Sequence, residues 1–150
     1  MPQSLAQIYV HLIFSTKDRA ALIPKSIRQD LCAYLGGVLR ALDSPILCVA
    51  VQPDHIHIIY RQTKNLPLAK TVEKIKTSSS KWVKTKDEHL SSFHWQNGYA
   101  AFSVSASRLD SVRKYIEGQP KHHQTISFQD ELRQYFAEYH VEYDEEYVWD

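Results

Sequence analysis

Apolar residues alternate along residues 8–15 (IYVHLIFS): Ile8, Val10, Leu12 and Phe14 fall on one side, and Tyr9, His11, Ile13 and Ser15 on the other. That two-residue period predicts a strand with one well-buried face. The spacing then lengthens. After Pro24, a residue suited to a first helical turn, Ile27, Leu31, Tyr34 or Leu35, Val38 and Leu42 recur at helical intervals until Ser44-Pro45. Residues 46–51 are a continuous apolar run, and Gln52-Pro53-Asp54 makes a turn into a further strand, so the two are expected to form an antiparallel hairpin. A second helix follows Pro67, with Leu68, Val72, Ile75, Ser79 and Trp82 on one stripe and lysines on the rest. Asn97-Gly98 signals another turn before a fourth strand over 99–105. Ser107, as a cap, opens a helix that turns Leu109, Val112 and Ile116 inward, and a last helix spans about 128–139.

The order β-α-β-β-α-β is the split β-α-β, or ferredoxin-like, arrangement: an α+β fold with an antiparallel sheet and extra C-terminal helices. A chain of 150 residues fits one domain, residues 1–150, able to bury about 70% of its unfolded surface. The composition, 43% hydrophobic and 23% charged with 4 Gly and 6 Pro, is that of a globular chain rather than a disordered one. No run approaches the roughly 20 apolar residues of a membrane helix, and no export signal is evident. Cys32 and Cys48 lack metal or disulfide-framework spacing and read as reduced core thiols, which suits a cytoplasmic protein with no membrane partner.

The net charge of +1 conceals a polarity. Residues 64–86 hold seven lysines against Glu73 alone, whereas residues 128–150 hold eight acidic residues against Arg133 alone. This suggests a basic surface for a polyanion and an acidic tail facing elsewhere.

Chemistry concentrates in two places. In QPDHIHIIYR, Ile56, Ile58 and Tyr60 share one strand face, and His55, His57, Ile59 and Arg61 share the other. Two histidines on one face are either solvated or grip something together. Farther along, Arg108, Ser111, Tyr115, Gln119 and His122 lie three or four apart, along one polar helix face. Two imidazoles can share a divalent ion, and a glutamine amide oxygen can add a third ligand. An ion there would polarise a phosphodiester, and a tyrosine hydroxyl could attack its phosphorus. Because only ~0.1% of a free tyrosine is ionised near neutral pH, the site must assist. Gly118 and Pro120 flank Gln119 and disfavour a continuous helix, so Gln119 would reach the metal from a bent terminus or be replaced by His122 or His123.

The segments HLIFSTKDR, QPDHIHIIY, WQNGYAAFSVS, VRKYIEGQPKHH and EYHVEYDEEYVWD together resemble the single-tyrosine HUH transposases of the insertion-sequence 200 type. The HUH motif is His55-Ile56-His57. The resemblance implies a metal-dependent enzyme that cuts and rejoins single-stranded DNA at the ends of its own element. It implies recognition of end hairpins, and Tyr115 as the nucleophile that becomes linked to a 5′ phosphate. It also implies His55, His57 and Gln119 as ligands of Mg²⁺ or Mn²⁺, and a homodimer whose active sites are shared between subunits. Lys70, Lys74, Lys81, Arg108 and His122 are then expected to contact DNA, with Tyr99 or Trp95 stacking on unpaired bases. An inactive or domesticated protein that binds palindromic repeats is the alternative.

Overall fold

The computed structural model describes residues 2–122 and 125–150, apart from the side chain of His122. Strand β1 (Tyr9–Ser15) is followed by helix α1 (Lys25–Ala41), the hairpin β2 (Ile46–Val51) and β3 (His55–Arg61), and helix α2 (Leu68–Lys84). Strand β4 (Ala100–Val104) leads to α3 (Leu109–Glu117), the short α4 (Gln119–His122) and α5 (Phe128–Glu138). The four strands form one sheet in the order β2-β3-β1-β4, antiparallel at each junction. This is the ferredoxin-like arrangement, with β1 and β3 central.

Alternation along the central strands divides the protein into two cores. Val10, Leu12, Phe14, Ile56, Ile58 and Tyr60 face Leu31, Leu35, Leu39, Val72, Ile75 and Val83 of α1 and α2. On the opposite face Ile13 and Phe102 pack against Phe128, Leu132 and Phe136 of α5. Both faces are therefore covered, and β1 is buried on both rather than on one. An 11-residue helix is marginal alone, so α5 is held by its apolar side chains, each worth roughly 1.5–3 kcal/mol when buried. Ser127 caps it by accepting a hydrogen bond from the Asp130 amide at 3.1 Å.

Local details depart from expectation where tertiary packing intervenes. In α1 the inward residues are Leu31, Leu35 and Leu39, with Val38 only half-buried. In α2, Val83 is fully buried, whereas Trp82 packs against the same core only partly buried, stacked on Tyr34 at 5.4 Å beneath the Lys86 ammonium. Leu68 is exposed. Ser107 does not cap α3; its hydroxyl meets that of Ser105, and the helix starts from a 3-10 turn over Ala106–Arg108. α3 stops at Gly118, whose amide donates to the carbonyls of Lys114 and Tyr115, and the backbone restarts as α4 with Pro120 in the first turn.

Candidate active site

The register Ser15↔His55 and Ile13↔His57 places the histidines at the centre of the sheet. They face α3 and α5, and both are essentially inaccessible to solvent, at 1% and 0%. Neither is solvated.

Each ring is oriented by a second group. His55 Nδ1 lies 2.7 Å from Asp54 Oδ1, which can only accept, so the proton sits on Nδ1 and Nε2 presents its lone pair unless the ring is doubly protonated. Facing that nitrogen at 3.2 Å is Oε1 of Gln119, its amide turned by Nε2 donating 2.8 Å to Glu131. With the proton on Nδ1, the Nε2 lone pair faces that oxygen, an arrangement that a cation between them would satisfy. His57 Nε2 lies 2.8 Å from Glu131 Oε1, and its Nδ1 lies 2.8 Å from His11 Nε2. Burial first, then the neighbouring His57, hold His11 well below the ordinary histidine range, partly offset by Glu131. His11 is therefore neutral, and the network assigns it as donor to His57 Nδ1 while His57 donates to Glu131.

Among the described residues, His55, His57 and Glu131 form a group whose ligating atoms lie within 4.8 Å of one another, all three buried. Two imidazoles and a carboxylate, with an amide oxygen beside them, suit a divalent cation. Ligation through His57 Nε2 would move that ring's proton to Nδ1, to be donated to His11 Nε2, reversing the direction of that bond. The histidine–carboxylate and histidine–histidine bonds behind the ligands are the supporting contacts metal sites use.

Tyr115, half-buried on α3, donates its hydroxyl hydrogen to Glu131 Oε2, and its ring stands 6.4 Å from that of His57. Burial, and then Glu131, push the phenol above the ordinary tyrosine value, so it rests protonated. The break at Gly118 carries Gln119 off the α3 axis and onto His55, where it is fully buried.

The sequence pattern assigns no role to Glu131 and puts His11 no more closely than near the metal face. Glu131 belongs to the acidic segment expected to face elsewhere, and that expectation fails here. Its signal was its register: Phe128, Glu131, Leu132, Tyr135 and Phe136 are one helical stripe, an acid among apolar residues.

The candidate DNA contacts divide. Lys70, Lys74 and Lys81 are exposed on α2, across the sheet from the histidines, with Lys70 3.4 Å from Glu73. Lys81 borders a groove of about 460 Å³ with Lys76, Lys84, Asn97 and the partly exposed Tyr99. Trp95 is not available for stacking on bases: it is 6% exposed, packed edge-on to Phe14 and Phe93, with Nε1 donating 2.9 Å to Ser79. Arg108 is exposed on the same side as Tyr115, paired with Glu138 at 3.4 Å, and Arg61 pairs with Asp43 at the end of β3. The His122 side chain and His123 lie outside the described residues. No helix among the described residues is long and apolar enough to cross a membrane.

The family described as IS200-like transposases matches residues 4–119. The ISDra2 transposase TnpA of Deinococcus radiodurans is 23% identical over 118 residues, 75% of this chain and 84% of the relative. A crystal structure of a candidate transposase from the same organism superposes with a TM-score of 0.61 at 21% identity, covering 79% of this chain and 98% of that one. A REP-associated tyrosine transposase bound to a REP hairpin gives 0.58 at 16% identity, covering 84% and 76%.

Proposed function

The chain belongs to the IS200-like transposase family, and on that premise we propose that it nicks and rejoins single-stranded DNA through Tyr115, at sites flanked by hairpins. The observation carrying this reading is the convergence of the Tyr115 hydroxyl, His57 and Gln119 on Glu131, with His55 against Gln119.

In the proposed reaction the Tyr115 oxygen bonds to phosphorus while the bond from phosphorus to the 3′ oxygen breaks. The product is a 5′-phosphotyrosine, and the departing strand leaves as a 3′ hydroxyl with a proton. Attack by another 3′ hydroxyl reverses the step and restores the phenol, so the bond energy is conserved. Glu131, the acceptor of the phenolic hydrogen bond, would take the phenol's proton. His55, His57 and Glu131, with Gln119, would hold Mg²⁺ or Mn²⁺. The ion supplies Lewis-acid polarisation of the phosphate and eases phenol ionisation. The lysines of α2 supply the sequence-independent attraction for hairpin phosphates. Homodimerisation, which the sequence resemblance implies, belongs to the same reading and enters its test as particle mass.

The test is a denaturing-gel assay for a covalent adduct. Both strands of the DNA flanking the gene are offered as single strands with Mn²⁺ or Mg²⁺, with Tyr115→Phe alongside and light scattering on the bound complex. A metal-dependent adduct lost in Tyr115→Phe, with hairpin affinity unchanged, is the expected result. An adduct in Tyr115→Phe would overturn the assignment. Hairpin binding without any adduct would leave a binding protein.

A further inference from the structure

A cavity of about 230 Å³ opens between α3 and α5, with Tyr115 as part of its wall. Its inner end is an aromatic corner. The Tyr135 ring stands edge-on to Tyr115 at 6.1 Å and 81°, and edge-on to His11 at 5.2 Å and 84°. Tyr135 is itself fixed by stacking on Phe102 at 5.3 Å, and Tyr139 is fixed by Phe102 at 4.7 Å and by donating its hydroxyl to the Ser103 carbonyl at 3.0 Å. The mouth is polar: Arg108, Gln134 and Glu138 border it and are exposed.

The chemistry selects the occupant. Rigid aromatic edges and faces accept a planar ring, and the Gln134 amide at the mouth can pair with a base's polar edge. A free anion is a poor match, because Glu138 beside Arg108 offsets the guanidinium charge and leaves the mouth without net positive charge. The volume is below the roughly 300–1,000 Å³ of drug-sized ligand pockets, which fits a single base rather than a dinucleotide. The position is also specific: Tyr115 is part of the wall, so a nucleoside joined to the phosphate it attacks would adjoin the cavity. Gln134, Tyr135, Glu138 and Tyr139 all follow residue 119, where the family match ends, so this wall belongs to a segment the family pattern does not cover.

We propose that this cavity receives the base of one nucleotide adjoining the phosphate that Tyr115 attacks, so that α5 reads one base of the single strand. The proposal rests on the strand-nicking reading above and names the specificity of that same site.

The experiment has two readouts, each made on the full chain and on Gln134→Ala, an exposed substitution outside both cores. One is adduct yield with strands carrying each of the four bases at the two positions flanking the cleaved bond. The other is affinity of Tyr115→Phe protein, with and without the second substitution, for strands bearing an abasic site at successive positions. The full chain should favour one base by about tenfold at one flanking position, and an abasic site there should weaken binding by a similar factor. In Gln134→Ala the base preference should fall toward unity. Adducts formed equally with all bases and with abasic strands would overturn the cavity's role and leave the nicking intact. A position-specific abasic effect without any adduct would keep the cavity and defeat the nicking. Base preference unchanged in Gln134→Ala would also overturn the proposal.

Discussion

Glu131 joins His57 to Tyr115: one carboxylate oxygen accepts from the imidazole at 2.8 Å and the other from the phenol. A buried carboxylate is tolerated only when donors surround it, and here the amide of Gln119 is a further donor. One residue of α5 therefore connects the candidate metal ligands to the candidate nucleophile.

Replacing Glu131 by Gln removes a ligand oxygen's charge and places an amide nitrogen against other donors. Mn²⁺ affinity, measured by titration calorimetry, is expected to fall at least about tenfold. Unchanged affinity would remove Glu131 from the ligand set.

His11 contacts no proposed reacting atom but holds His57 through Nδ1. In His11→Phe, Mn²⁺ binding should weaken by about 10–100-fold with the circular dichroism spectrum preserved. A folded variant that binds Mn²⁺ as tightly as the parent would show that the His11 bond plays no part in orienting the ligand.

Substituting Lys70, Lys74 and Lys81 together by Ala should lower hairpin affinity for all sequences alike. The slope of log affinity against log salt should also flatten, by about 0.9 for each phosphate that a lysine no longer neutralises. If the slope does not move, the stem lies on another surface.

Lys76 reports on the loop that ends the groove. Its ammonium donates to the carbonyls of Gln96, Asn97 and Gly98 at 2.5, 3.2 and 2.7 Å, while burial brings its pKa from 10.5 down to about 8. Between those values the unfolded chain still carries a proton that the folded chain has released, so this group's contribution to stability rises with pH. Relative to Lys76→Met, the parent should gain about 1 kcal/mol from about pH 8 to about pH 10, a figure reduced for partial solvent screening. A flat difference would mean that the carbonyls hold the proton against burial.

The sheet, its order of elements and the histidine face were legible because period-two alternation and the Gln52-Pro53-Asp54 turn are local signals. The break at Gly118 was legible for the same reason, since glycine and proline act through the backbone. That Gln119 nonetheless reaches His55 is a tertiary fact. Glu131 was hidden because an acid-rich segment reads as solvated face, and only the packing of Phe128, Leu132 and Phe136 turns this one acid inward. Trp95 departs from expectation for a related reason: aromatic residues near a turn carry no local sign of which core they enter, and this one enters the core beneath α2.

The covering of the second sheet face by α5 has a consequence for how the protein would fail on heating. The larger core, under α1 and α2, is built without Phe128, Leu132 and Phe136, so α5 can detach while that core stays packed. Detachment withdraws Glu131 from the histidines in the same motion. Loss of activity on warming should therefore precede the main melting transition, and protection of α5 amides from hydrogen exchange should track the first event rather than the second.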